Sequence, residues 1–421
     1  MKKSQIACLA MILTAVLAAI TLLGDTPSNA PAAKEKVGDY EVHRQLSLRA
    51  QWSRIPTTAP SVPNAGIRDL VFDPGGKLLA ISALHTTDGS DQRDGLVAVY
   101  NWSEDKLTYL IKRKTVCDVR LIFSMDGKYL ATKGDNISTV WDIQKQQTVL
   151  LLDCRGGGKP YRHDQVFVQF SNEPNQYLVG YVVELEKDPS EIKPGEKFLR
   201  DPDPDWFRAN VRIGWYDASQ HRFRAIWQEE NVRTRDYLWW RPILSLAKSP
   251  DDKFLVFCTA YCPTVQSFHL LSAKDGKHLK SLGYGRAAIS SNEVLGYSHY
   301  LQAFVLKEPH NSIIALKPNG EVSELLKLDD NIRITWISLD TEGRLLSLCT
   351  GDLADPIGGA KEKRRPNEVL VYELETGQVI FRVRSSAKVR WVRSAVAAKG
   401  ELIACADEQG TIKLYKRVRK N

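Results

Sequence analysis

Val71-Phe72-Asp73-Pro74-Gly75-Gly76-Lys77-Leu78-Leu79-Ala80 returns, 51 residues further on, as Ile122-Phe123-Ser124-Met125-Asp126-Gly127-Lys128-Tyr129-Leu130-Ala131. In both stretches an apolar strand enters a short turn of Asp, Gly and Lys and leaves it as a second apolar strand. Gly and Asp tolerate the positive φ that a tight hairpin turn requires, and β-branched and aromatic flanks suit a pleated surface. The same turn chemistry, with the strand that follows it, recurs at Ser249–Val256, Asp340–Ser347 and Ala398–Ala404, and in looser form at Ser171–Val179.

A second hairpin follows each first one. Its leading strand reads Val97–Asn101, Ser138–Asp142, Val211–Asp217, Ser267–Leu271, Ser312–Leu316, Glu368–Tyr372 and Thr411–Tyr415, and several of these run into turns such as Lys274-Asp275-Gly276-Lys277. Four strands per unit is the pattern of a propeller blade. The long interval between the turns at Lys253 and Arg344 leaves room for a degenerate blade around Val294–Val322, which brings the count to seven. The expected fold is all-β: a single β-propeller of about seven four-stranded antiparallel blades.

The repeat resembles that of WD-repeat (WD40-like) propellers from about Glu41 onward, and Trp141-Asp142 carries the Trp-Asp pair of that family. The resemblance implies closure by an N-terminal strand. The last unit stops after its third strand, near Tyr415, and Glu41–Trp52 alternates well enough to supply the fourth.

At the N-terminus, Lys2 and Lys3 precede an uncharged, mostly apolar run from Ile6 to Gly24, with small residues at Ser28-Asn29-Ala30. This order fits a signal peptide, and the run is also long enough to span a bilayer. The expected division is therefore a signal peptide or membrane anchor at 1–30, a flexible spacer at 31–40, and the propeller at 41–421. The positive-inside rule places the body outside the cytoplasm, so a periplasmic or other extracytoplasmic protein is expected, secreted or anchored by its N-terminal segment, and the short Lys-Lys leader is of bacterial type. Membrane contact is expected only through an uncleaved N-terminal segment. The formal charge of +8 is scattered, apart from Lys361–Arg365 and Lys413–Lys420. It favours a protein partner with acidic character or an anionic envelope component. No nucleic-acid partner is expected.

Propeller topology puts the second-to-third-strand loops on the same side as the blade-to-blade connections. Three such loops are long: Leu84–Gly95, Glu184–Asn210 and Gly351–Asn367. Long loops on a rigid scaffold are where binding usually sits. Trp206 and Phe207 follow the acidic Asp201-Pro202-Asp203-Pro204-Asp205. Arg364 and Arg365 lie in the third loop, and Arg235, Trp239 and Trp240 in a blade connection. Aromatics and arginines commonly dominate interface energies, so these seven are the candidate partner-binding residues. Trp141, Trp215, Trp336 and Trp391 fall in strands or at blade junctions and are assigned to the core.

No His-Glu-x-x-His, Cys-x-x-Cys-His or Gly-x-Ser-x-Gly occurs, and Gly156-Gly157-Gly158-Lys159 and Gly283-Tyr284-Gly285 read as turns. Asp88, Asp91 and Asp94 miss the alternate-residue spacing of calcium loops. No cofactor is assigned. Cys258, Cys349 and Cys405 lie in second strands as buried thiols, while Cys117 and Cys154, in neighbouring blade connections, form the candidate disulfide. The leading expectation is a non-catalytic protein-binding scaffold. The alternatives are a propeller enzyme, lactonase-like or quinoprotein-like, working at the channel mouth, and an adhesin for anionic envelope polymer.

Overall fold

The computed structural model describes residues 36–47, 66–86, 93–115, 120–133, 137–153, 165–184, 206–235, 245–262, 265–284, 293–308, 312–328, 332–352, 367–385 and 390–418. They form a seven-bladed β-propeller within the compact unit Val37–Asn421. Blade 1 comprises β3 (Gly66–Phe72), β4 (Leu78–Thr86), β5 (Arg93–Asn101) and β6 (Lys106–Thr115). Blade 2 is β7 (Arg120–Phe123), β8 (Tyr129–Lys133), β9 (Ile137–Asp142) and β10 (Gln147–Asp153). Blade 3 is β11 (Gln165–Phe170), β12 (Gln176–Glu184), β13 (Trp206–Asp217) and β14 (Arg222–Arg235). Blade 4 is β15 (Ser245–Lys248), β16 (Phe254–Cys262), β17 (Val265–Ser272) and β18 (His278–Tyr284). Blade 5 is β19 (Glu293–Ser298), β20 (Ala303–Lys307), β21 (Ser312–Leu316) and β22 (Val322–Lys327). Blade 6 is β23 (Ile332–Leu339), β24 (Leu345–Asp352), β25 (Glu368–Glu373) and β26 (Val379–Arg384). Blade 7 takes β27 (Trp391–Val396), β28 (Leu402–Asp407) and β29 (Thr411–Arg417) from the end of the chain. Its fourth strand, β2 (Tyr40–Ser47), comes from the beginning, preceded in the chain by the two-residue β1 (Lys36–Val37).

The first hairpin of each blade is built on one turn. A residue of positive φ occurs in all seven: the fourth of the turn at Gly76, Gly127, Asp252, Gly343 and Gly400, and the fifth at Asn175 and Gln302. The first turn residue is Asp or Ser in six blades. In four of these its side chain accepts the backbone N–H five residues on: Asp73 from Leu78, Ser124 from Tyr129, Ser249 from Phe254 and Asp340 from Leu345. That bond holds the turn shut when the left-handed residue is not glycine, as at Asp252. The repeat is thus a backbone requirement that several sequences meet.

Each interface between adjacent blades has its own apolar core, so seven clusters take the place of one. Trp141, Trp215, Trp336 and Trp391 are buried in them, as the sequence predicts. The indole N–H of Trp215 donates across a blade boundary to Ala273 O (2.7 Å), and that of Trp336 to Ser394 O (3.1 Å). Cys258, Cys349 and Cys405 are buried thiols in β16, β24 and β28.

Closure takes the expected form, through antiparallel pairing of β2 with β29 from Tyr40↔Arg417 to Ser47↔Thr411. The anchor is Tyr40, 1% exposed, whose hydroxyl donates to Gly400 O (2.9 Å) and whose ring meets Phe381 of blade 6 edge-on at 5.1 Å. Among the described residues no helix is long and apolar enough to cross a membrane.

Candidate functional site

Because strands alternate in direction, the first and third turns of every blade lie at one end of the ring, and the second-to-third-strand loops and blade connections at the other. The strands flanking the predicted long loops extend further into them than the sequence pattern indicates. In blade 1, β4 runs to Thr86 and β5 starts at Arg93. In blade 3, β12 runs to Glu184 and β13 starts at Trp206. Trp206 and Phe207 therefore open a strand, where an apical loop was expected, and Arg235 closes a strand, where a connection was expected. Apolar and aromatic residues beyond Asp205 continue the β pattern, and the partner strand is long enough to pair with them.

The result is a two-stranded ribbon at the loop-bearing end of blade 3. Cα partners are Trp206↔Arg235, Phe207↔Thr234, Arg208↔Arg233 and Ala209↔Val232, while β12 stops pairing at Glu184↔Ala209. The ribbon thus runs beyond β12, the second strand of its own sheet. Three of the seven candidate residues are on it. Trp239, Trp240, Arg364 and Arg365 lie outside the described residues, as do Cys117 and Cys154.

A second constellation lies on the axis and went unnoticed in the sequence. The innermost strands open with polar groups at the same end. Arg120, at the start of β7, reaches across the channel to Glu293, at the start of β19 (3.2 Å). Its guanidinium carbon sits 3.9 Å from the centroid of the Trp336 ring, and that of Arg393 sits 4.3 Å from the same ring. Arg393 also donates to the carbonyls of Arg68 and Val392, both at 2.7 Å. Asp69 accepts Leu121 N–H (2.7 Å) and its neighbour Leu70 N–H (2.9 Å), tying blade 1 to blade 2. Below this brace a cavity of about 410 Å³ follows the axis past Val71, Ile122 and Leu295 to the turns at Met125 and His299. The only sequence signal is a charged residue opening an otherwise apolar short strand, as at Arg120 and Glu293.

Four titratable groups are strongly displaced, and one of them, Asp340, lines the axial cavity. Burial, and then the neighbouring His278, push His269 down to about 4. Its Nδ1 and the Nε2 of His278 both contact the Ser281 hydroxyl, at 3.0 and 2.7 Å, and the ring stacks on Phe257. Burial raises Asp340 to about 6, although it accepts the N–H groups of Arg344 and Leu345. Burial pushes the Cys349 thiol up to about 12 and that of Cys258 higher still. Thiols raised this far are poor nucleophiles. Among the described residues no three His, Cys, Asp or Glu side chains gather as a metal-binding group.

No family model matches the chain, and the search of curated proteins finds no similar one.

Proposed function

We propose that this propeller is a protein-binding scaffold of the WD-repeat kind, acting outside the cytoplasm and presenting the loop-bearing end of the ring to its partner. The observation that carries this reading is the blade-3 ribbon, which extends the ring at the end where all the long connections emerge and bears aromatic and arginine positions. The channel polar groups support it. Arg120, Glu293, Trp336 and Arg393 engage one another or nearby backbone, as in a structural brace. The N-terminal Lys-Lys and apolar run support export.

The test is crosslinked capture from native envelopes by the intact chain, compared with chains shortened within 187–203 or within 354–365. These limits leave β13 and β24 whole. One protein lost on shortening is the expected result. Capture that is indifferent to both deletions removes the support for this face.

The axial cavity favours a second reading, an enzyme of hydrolase or dehydrogenase type with its site in the channel. Under it, Arg120→Ala abolishes turnover of a small substrate, and purified protein carries bound calcium or a chromophore. Adhesion to an anionic polymer is the third reading. It predicts binding that collapses as salt rises and is unaffected by either deletion.

A further inference from the structure

His269 and His278 converge on one oxygen. His269 stands on β17 directly opposite Ser281 of β18, so the two share a face of blade 4. His278 comes three residues before Ser281, and strict alternation along β18 would send it to the other face. A bulge prevents this. Leu270 pairs with Lys280 and Leu271 with His278, which leaves Leu279 as the extra residue between them. One extra residue resets the alternation and returns His278 to the face of His269 and Ser281. Outer strands of other blades are bulged near the same point, as opposite Val99 and Tyr100 or Val371 and Tyr372, so the ring supplies the backbone and blade 4 the imidazoles.

The geometry is that of two ligands with a hydroxyl between them. Nε2 of His278 lies 2.7 Å from Ser281 Oγ and Nδ1 of His269 lies 3.0 Å from it, with ring centroids 6.0 Å apart. His269 is held by stacking on Phe257 at 5.0 Å, beside Trp227 at 6.4 Å, whereas His278 and Ser281 are exposed. One imidazole is therefore fixed and the other free to adjust. The low value of His269 leaves it unprotonated at neutral pH, the form that a metal binds. Among the described residues no carboxylate acts on it. Nitrogen donors without carboxylate are a poor set for Mg²⁺ and Ca²⁺, which take oxygen. They suit Zn²⁺, Ni²⁺ and above all Cu²⁺, which binds such sites most tightly.

We infer that His269 Nδ1 and His278 Nε2 bind a divalent transition-metal ion, Cu²⁺ foremost, on blade 4. The ion takes the point held by the Ser281 hydroxyl, which turns aside on its exposed strand. Each ring carries its proton on the other nitrogen. Metal–nitrogen bonds of about 2.0–2.1 Å require each ring to move inward by about 1 Å or less. Two protein nitrogens leave the remaining positions to water, so the ion exchanges readily, unlike one enclosed by four protein ligands. The inference is independent of the scaffold reading.

The probe is Cu²⁺ alone, titrated into the full chain after stripping with EDTA. Electron paramagnetic resonance of the first equivalent counts the nitrogens bound. Quenching of Trp227 fluorescence reports proximity, with Trp227→Phe isolating its share among the ten tryptophans. Saturable binding with two-nitrogen coordination and quenching of Trp227 is expected. His278→Gln, at an exposed position, weakens binding by about tenfold or more and leaves one nitrogen. Ser281→Ala binds at least as tightly as wild type, because the displaced hydroxyl is not a ligand. Affinity and nitrogen count unchanged in His278→Gln overturn the site. Should that variant have a lowered unfolding midpoint, the wild-type chain decides: copper bound without quenching of Trp227 lies elsewhere and overturns the inference. Loss of binding in Ser281→Ala, or equal binding of Mg²⁺, overturns the assignment to two imidazole nitrogens.

Discussion

Positive φ at the fourth residue of the inner turn is where single side chains matter most to this ring. Gly343, at φ 71°, presses its Cα hydrogens onto blade 5: a Cβ there would lie 2.3 Å from Ser298 Cα. Gly343→Ala combines left-handed strain with a backbone collision and is expected to destabilise by about 2–4 kcal/mol. Urea unfolding measures this, and a shift below about 0.5 kcal/mol would mean that blades 5 and 6 can separate there without cost. In the same turn, Asp340 has a folded value near 6, above its ordinary 3.8. Stability from its proton is present below 3.8 and lost as pH rises through about 6. Asp340→Asn keeps the acceptor for Arg344 and Leu345 and removes the buried charge. The variant should gain about 1–2 kcal/mol at pH 7 and nothing at pH 3.5. His269 works in the opposite direction. Its folded value near 4 lies below the unfolded 6.5, so the unfolded chain binds more protons between the two. Its contribution is complete above pH 6.5 and lost as pH falls through about 4, amounting to at most about 3 kcal/mol before discounting for the exposed part of the ring. His269→Phe should flatten the stability profile between pH 6.5 and 4. A slope unchanged by this substitution would assign the acid sensitivity to other groups.

Among the strands, β10 stands apart from its counterparts. The other outer strands carry Lys, Arg or Glu along their length, whereas β10 carries its one charge at its last residue, Asp153, and leaves Val149 and Leu151 42% and 60% exposed. Such an edge is prone to self-association. Leu151→Lys is expected to raise the concentration at which the protein aggregates, with stability changed by less than about 0.5 kcal/mol. Light scattering and thermal unfolding separate the two effects. The strands also show how much was readable beforehand. Blades 1, 2 and 6 announce themselves because Gly76, Gly127 and Gly343 occupy the left-handed position. Blades 3, 4 and 5 meet the same backbone demand with Asn175, Asp252 and Gln302, which carry little pattern. The ribbon was half legible: Trp206, Phe207 and Arg235 stand out by type, but Asp201–Asp205 resembles the middle of a loop and masks the strand that begins after it. The channel brace was illegible, since Arg120, Glu293, Trp336 and Arg393 come from four blades and meet only after the ring has closed.

Because every apolar core is shared by two neighbours, no blade is stable apart from the next, and the ring should unfold as one cooperative body. The first and last described segments of the ring meet in blade 7, where Val418 N donates to Asp39 O at 2.7 Å. A permutant that joins these ends and opens the chain within 354–365 retains all twenty-eight blade strands. It is expected to give a single unfolding transition, and two separate transitions would show that blade boundaries differ in strength. Tyr40→Ala strikes the same junction. Loss of a buried ring of this size should destabilise by about 3–5 kcal/mol, whereas Tyr40→Phe, which removes only the hydroxyl bond to Gly400, should cost about 1 kcal/mol. The pairing of Tyr40–Ser47 with Thr411–Arg417 also acts on the chain in time. The first blade strand to be made, β2, pairs with the last, β29, so no intermediate length of the growing polypeptide can close the circle. A message cut short by even its final dozen codons yields an open ring with two bare edges. Such a product is expected to be cleaved by proteases faster than the closed ring, because its unpaired edges open more readily.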